Sequence, residues 1–235
     1  MAFLRQWLLI LFALGLSSEQ IFAASARENR DYAAAAAAFQ DGMYGRADAA
    51  FAQFVEKHPK SERVGEAILL QAQAEIKQGD FTGAILLLIR PDNQAKAGPL
   101  ADEYVYWTGE AQFQGGNFPA AAKTWTALAQ QFPDSRLRLQ TLVGAAAALT
   151  ELAEWRQTIS LLEATNGIFQ RMAQTNPAGE LEARGKLFLA QAKFQLKDFT
   201  GATAILEPLL DRLTLPPELR WRCGRLLYQA WLAAG

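Results

Sequence analysis

Chemistry in this chain would have to run through very few residues. It holds one histidine, His58, and one cysteine, Cys223. A serine triad would need His58 with distant partners, yet His58 is followed directly by Pro59 and no Gly-x-Ser-x-Gly elbow occurs. His58 therefore reads as a helix-terminal or solvated side chain. Cys223 sits among large residues in Trp221–Leu227 and reads as a buried, inert thiol. One cysteine excludes an internal disulfide, and one Cys with one His excludes a zinc site built from several such ligands. The run from Gly179 to Leu187 approaches a phosphate-loop pattern, but it has five spacer residues, ends on Leu187 in place of Ser or Thr, and follows no strand. It reads as the start of a helix. The 24 acidic residues read mainly as a solvated face. No catalytic, cofactor-binding or metal-ligating residue is predicted.

The elements around these residues say more. Apolar residues make up 51% of the 235 and charged residues 20%, so a packed core is expected and global disorder is not. A net charge of −1 offers nucleic acid or anionic lipid no general attraction, so no nucleic-acid partner is expected. Residues 1–26 read as a secretory leader: Arg5 in the n-region, an apolar run from Trp7 to Leu16, and the small residues Ala24-Ser25-Ala26 as the preferred cleavage site. Cuts after Ala23 or Ala24, or an uncleaved anchor, are the alternatives. Ten apolar residues cover about 15 Å as helix, roughly half a bilayer core. No integral span is expected after cleavage, and the protein is expected to be exported, with a bacterial periplasm as its compartment.

From residue 27 onwards an internal period organises the sequence. Gly42-Met43-Tyr44, Gly79-Asp80-Phe81, Gly116-Asn117-Phe118, Ala153-Glu154-Trp155 and Lys197-Asp198-Phe199 open five equivalent blocks. Their spacings are 37, 37, 37 and 44. Each block has an aromatic two residues on, then Ala47, Ala84, Ala121, Thr158 or Ala202, then a bulky apolar residue. Apolar residues at three- and four-residue steps precede each block, so one unit is helix, tight turn, helix. Ala35, Ala72, Gly109, Ala146 and Ala190, seven residues before each turn, are the partners that let two helices approach to about 8–10 Å. The second helices are expected to end at His58-Pro59, Arg90-Pro91, Phe132-Pro133 and Asn176-Pro177. Ser61 and Ser135 are expected to cap the units that follow. Repeat two is expected to run into a loop from Arg90 to Pro99. The longer repeat four should lengthen a helix by about two turns. Pro208 should kink the second helix of repeat five. A last helix is expected over 218–232.

This arrangement resembles the tetratricopeptide repeat (TPR). Repeat three carries Gly109, Phe118, Ala121, Trp125 and Pro133 at the positions characteristic of that family, and repeat one carries Ala35, Tyr44, Ala47, Phe51 and Pro59. The resemblance covers about residues 28–212. It implies an all-α, right-handed superhelical α-solenoid of helix-turn-helix repeats in one domain, residues 27–235. The ending Phe51-x-x-Phe54 with Pro59 and Ser61 is similar to exported cell-envelope members. Examples are the periplasmic coordinator of the Tol–Pal system and a lipoprotein of outer-membrane β-barrel assembly. No lipid-attachment cysteine follows the apolar run here.

By the same resemblance, partner-facing positions lie on the first helices, 13, 10, 6, 3 and 2 residues before each turn. These give Tyr106, Glu110, Phe113 and Gln114 with Glu103 in repeat three, and Gln73 and Lys77 with Glu66, Leu69 and Ile76 in repeat two. Repeat five gives Gln191 and Phe194 with Arg184, Leu187 and Gln195; repeat one gives Tyr32 and Phe39. Aromatic anchors among carboxamides suit an extended peptide or a partner helix. The alternative is that Phe39, Phe113 and Phe194 only pack against the next helix. The expected function is a non-enzymatic scaffold for protein or peptide partners in the cell envelope, without a cofactor. The alternative is a structural or self-association module, forming the N-terminal part of a larger envelope assembly. In that reading Trp221, Leu226, Leu227, Tyr228 and Trp231 cover the last repeat or dock a partner.

Overall fold

The structure, a computed structural model, describes residues 25–164, 167–175, 179–212 and 215–234, without the side chains of 174 and 175. The leader expected at 1–26 lies outside these residues except for Ser25 and Ala26, which begin a helix. The described residues are helical throughout, with no strand. They divide into two compact units, Met1–Leu100 and Ala101–Gly235.

The first unit contains α1 (25–40), α2 (Tyr44–Lys57), α3 (Val64–Gln78), α4 (Phe81–Ile89), the short α5 (Pro91–Ala97) and a 3-10 turn at Gly98–Leu100. The second contains α6 (Ala101–Gln114), α7 (Phe118–Gln131), α8 (Arg138–Glu151), α9 (Trp155–Glu163), α10 (Ile168–Thr175), α11 (Glu180–Gln195), α12 (Phe199–Leu210) and α13 (Pro217–Ala234). Within each unit consecutive helices mostly pack on one another, while α11 packs back on α8 and α9 across the inserted α10. The described chain is thus an all-helical repeat of stacked pairs.

The turns show why the period exists. Gly42, Gly79, Gly116, Ala153 and Lys197 all take positive φ, between 57° and 83°. At each, the N–H of the next residue reaches back five residues: Met43 to Ala38, Asp80 to Glu75, Asn117 to Gln112, Glu154 to Leu149 and Asp198 to Lys193, at 2.8–2.9 Å. This is one helix-ending motif used five times. Ala153 and Lys197 adopt it with a Cβ, at about 1–2 kcal/mol each relative to a relaxed residue. Asp80, Asn117 and Asp198 then accept hydrogen bonds from the N–H of Gly83, Ala120 and Gly201, capping α4, α7 and α12.

Pairing depends on small residues. Ala35, Ala72, Ala146 and Ala190 are fully buried, as are Ala47, Ala84, Ala121, Thr158 and Ala202 opposite. In repeat three the contact is closest: a Cβ on Gly109 would stand 2.5 Å from Nε1 of Trp125. That ring seats its N–H on the Tyr106 carbonyl at 3.1 Å. The turn aromatics fill the wedge, with Tyr44 on Phe39, Phe118 on Phe113 and Phe199 on Phe194 at centroid distances of 5.2–5.5 Å.

Ser61 accepts from the Arg63 N–H and donates to Glu28, 33 residues upstream; Ser135 accepts from Leu137 and donates to Asp102, again 33 upstream. Each serine therefore starts the next unit and ties it to the first helix of its own repeat. His58 ends α2, with Nε2 2.9 Å from Asp31 Oδ2.

Two expectations are corrected. Residues 91–97 form α5, because Pro91 at the first helical position starts a helix as readily as it stops one. The Asn93 and Gln94 side chains donate back to the Leu87 and Leu88 carbonyls and fold α5 against α4. The extra residues of repeat four do not lengthen a helix. After Glu163 the chain breaks and forms the separate α10, which packs on α8 and α9 and buries Phe169. The stop expected at Asn176-Pro177 lies outside the described residues. Pro208 sits inside α12, which runs on to Leu210.

Because Gly109 leaves no room beside Trp125, Gly109→Val should destabilise the second unit by about 1–3 kcal/mol through overpacking. Thermal unfolding followed by tryptophan fluorescence checks this. An unchanged transition would mean that the two helices are not in close contact there.

Candidate functional site

Three first helices of the second unit, α6, α8 and α11, line a groove of about 480 Å³. Residues 37 apart on α6 and α8 present equivalent positions, so the groove repeats the period of the sequence. From α6 come Tyr106, Glu110 and Phe113; from α8 Gln140, Val143, Gly144 and Ala147; from α11 Glu180, Leu181, Arg184 and Phe188. Trp125 of α7 forms part of the floor, stacked at 5.7 Å from Phe113 and 6.3 Å from Tyr106. A Cβ on Gly144 would stand 2.9 Å from the same indole, so α8 is also held close to it.

Polar groups in the groove are oriented by one another. Gln140 donates to the Tyr106 hydroxyl at 2.6 Å, and Gln114 donates to Glu110 at 2.6 Å. Arg184 pairs with Glu180 at 2.7 Å, half exposed. Burial, with Glu110 nearby, pushes the Tyr106 hydroxyl up to about 12, so it stays a neutral donor and acceptor. An aromatic floor with amide, carboxylate and guanidinium groups along its walls can hold apolar side chains while hydrogen-bonding a peptide backbone. Among the described residues no group of three His, Cys, Asp or Glu side chains could hold a metal ion.

A second, smaller hollow of about 210 Å³ lies between α11 and α13. It is lined by Leu187, Gln191, Phe194, Gln195, Arg222, Arg225, Leu226 and Gln229. A third, of about 570 Å³, runs between α7 and the α8–α9 turn, with Lys123, Gln130, Glu154 and Gln157 among mostly small residues.

The positions named from the sequence separate accordingly. Tyr106, Glu110 and Phe113 meet Arg184 in the first groove, while Gln191 and Phe194 line the second; Gln114 is an exposed neighbour of Glu110. In the first unit Tyr32 and Phe39 pack against the core. Tyr32 sits edge-on to Phe51 and Phe54, with the Arg63 guanidinium 4.8 Å from its ring centre. Leu69 and Ile76 are buried, Gln73 is half-buried and Lys77 is exposed. Phe39, Phe113 and Phe194 all pack on their turn aromatics, and the last two also line hollows. Sequence reasoning missed Gln140, Val143, Gly144 and Ala147 of α8. The 37-residue step from Glu103, Tyr106 and Glu110, which lands on Gln140, Val143 and Ala147, and the small Gly144 were the signals that could have found them.

It also missed the charge cluster that fixes α11. Glu182 is 1% exposed and accepts from Arg212 through both carboxylate oxygens, with Lys186 as a second partner. Arg220 in turn donates to the Arg212 carbonyl at 2.6 Å. Although burial opposes ionisation, these two cations hold the Glu182 carboxyl below its ordinary value. At the other end of α11, Lys193 pairs with Glu163 at 3.0 Å and Asp198 at 3.1 Å.

In the first unit Glu75 stands in the opposite situation. Its Oε2 is buried without a partner, and burial with Asp48 and Asp80 nearby pushes it up to about 7. Gln71 bridges it to Asp48, donating to both carboxylates.

Comparison with known proteins fits this geometry. The tetratricopeptide repeat family model matches residues 31–61 and 103–135, which are repeats one and three. None of the curated proteins matches the chain in sequence. A crystal structure of a candidate kinesin light chain from Podosopora anserina, made of nearly identical TPR-like repeats, superposes with a TM-score of 0.59. It is 16% identical over 86% of this chain and 96% of that one. A point variant of that protein gives 0.60, also at 16% identity, over 85% and 95%. The TPR domain of P58(IPK) gives 0.41 at 14% identity, over 92% and 68%. Repeats one and three are thus tetratricopeptide repeats by sequence, and the described chain has a TPR-like helical-repeat fold. Such folds are typically non-catalytic scaffolds that bind other proteins.

Two variants test the electrostatics. Glu182→Gln leaves two cations facing a neutral group and should cost about 3–5 kcal/mol at pH 7. In the native protein the depressed carboxyl stabilises fully above the unfolded value near 4.5, and that stabilisation is lost as pH falls through the native value. Urea unfolding from pH 7 to 3 should show the slope in wild type and lose it in the variant. Glu75→Gln should do the reverse. The native state holds that proton up to about pH 7 and the unfolded chain only to 4.5, so wild type loses stability as pH rises between them. The variant should be the more stable at pH 8, by about 1–3 kcal/mol, and nearly equal at pH 4.

Proposed function

We propose that the protein is a non-enzymatic scaffold, exported to the cell envelope, that binds a protein partner along the groove of α6, α8 and α11. The observation that carries this reading is that three successive first helices bring Tyr106, Phe113 and Phe188 together with Gln140, Glu110 and Arg184 on one open surface. Rings supply apolar contact area at low cost in side-chain entropy, and the oriented polar groups around them give direction to a bound chain. Groups placed for acid, base or nucleophilic work would need a shared reacting centre, whereas these lie along a line of helices.

Export rests on the sequence. Arg5, the apolar run from Trp7 to Leu16 and Ala24-Ser25-Ala26 have the order of a cleaved leader. Among the described residues no helix is long and apolar enough to cross a membrane. The envelope setting also draws on the similarity of the Phe51-x-x-Phe54, Pro59, Ser61 ending to exported TPR proteins.

The test has two parts. Expressed at full length in a Gram-negative bacterium, the protein should appear in the periplasmic fraction with a new N-terminus after residue 23, 24 or 26; retention in the cytosol with Met1 intact removes the export reading. Affinity capture from envelope extract should recover a defined partner, and Tyr106→Ala with Arg184→Glu should reduce its recovery about tenfold, the effect of 1.4 kcal/mol. Recovery unchanged in a folded double variant would remove the groove.

A further inference from the structure

The register of the first helices carries over to α13. In α6 the buried positions are Tyr104, Thr108 and Ala111, and in α8 the same spacing gives Thr141, Ala145 and Ala148. On α11 the corresponding residues are Gly185, Leu189 and Ala192; on α13 they are Cys223, Leu227 and Ala230. α13 is therefore built as a sixth first helix, seated on α12. The residue after the second of these positions is the small one that admits the second helix: Gly109, Ala146 and Ala190. On α13 it is Tyr228.

Around it lies a face that second helices cover elsewhere. Trp221, Tyr228, Trp231 and Leu232 are 53–66% exposed on a single helix. Their spacing, with Arg225 between, places Trp221, Arg225, Tyr228 and Leu232 along one stripe. Arg225 stacks on Trp221, 5.0 Å from the ring centre, and with Arg222 it also lines the hollow beside α11. The other groups lining that hollow are three carboxamides and apolar side chains, with no carboxylate. Among the described residues neither arginine forms an ion pair, whereas Arg184, Lys186, Lys193 and Arg212 each have a carboxylate partner.

We infer that α13 is a docking site for an acidic amphipathic helix of a partner protein, which lies along this exposed stripe. Carboxylates one turn apart on that helix meet Arg222 and Arg225, and its apolar side rests on Trp221 and Tyr228. Tyr228 keeps the incoming helix from approaching as closely as Ala or Gly permits, so the seat differs from that of a repeated hairpin. Charge selects the occupant: α13 carries three arginines, Arg220, Arg222 and Arg225, against the single acid Glu218 of its first turn, so a second copy laid face to face would bring more cations than carboxylates to the seam. This surface shares no residue with the groove of α6, α8 and α11.

The test is selection from a displayed library of random peptides of about 18 residues, long enough to form helix. Peptides selected on the full-length protein should carry Asp or Glu at three- or four-residue spacing and bind one to one. Arg222→Glu with Arg225→Glu, and separately Trp221→Ala with Tyr228→Ala, should weaken them about tenfold or more, and Tyr106→Ala should leave them unchanged. The charge-reversed protein should instead select lysine-bearing peptides, which a misfolded variant would not do. Peptides without acidic bias, or indifferent to the arginines, overturn the inference. So does a dimer in light scattering that Trp221→Ala with Tyr228→Ala dissolves, and so does binding to phosphatidylglycerol vesicles in place of any peptide.

Discussion

Everything in this fold rests on how closely two consecutive helices can approach. The contact is made by an alanine or glycine seven residues before the turn and a small residue five after it, with both sides fully buried in most repeats. At that separation the turn needs a left-handed residue, and all five turn positions supply one, even where the residue is alanine or lysine. In repeats one, three and five the wedge left open beyond the small pair is filled by two aromatics, one from each helix. Each hairpin is thereby a rigid piece whose remaining apolar face is buried only by its neighbour, and buried clusters accordingly recur along each unit.

Surface chemistry follows from that geometry. Since second helices and neighbouring hairpins consume the small and aliphatic positions, the first helices present their other faces to solvent, and the residues there combine across hairpins. Tyr106 and Gln140, 34 residues apart, are joined by a hydrogen bond, and Trp125 supports side chains from α6 and α8 at once. Phe113 shows that packing and recognition are compatible roles: one edge braces Phe118 while another part of the ring lines the groove.

Charges act at the places where the period breaks. The extra residues of repeat four form α10 and displace nothing in the turn that follows. Glu182 with Arg212 and Lys186 fixes the start of α11, and Lys193 with Glu163 and Asp198 fixes its end. Glu75 is the counterexample, an acid held among acids with one oxygen unpartnered.

The sequence by itself determined the hairpins, because turn residue, small pair and turn aromatic are local and recur at steps of 37, 37, 37 and 44 residues. Glycine or its substitute, the alanines and the aromatics could be counted off without any coordinates. What only the tertiary structure decided lies between hairpins or where a local signal has two meanings. Pro91 reads equally well as the end of one helix or the start of another, and the Asn93 and Gln94 bonds to the carbonyls of α4 chose the second. Seven added residues can lengthen a helix or make a new one, and the buried place for Phe169 chose the new one. Glu182 and Arg212 lie 30 residues apart, and nothing in either neighbourhood announces the other. The groove needed α8, whose contribution is a run of small residues without a motif. Long-range partners are fixed by how hairpins lean together, and that angle is a property of the packed chain, not of any one segment.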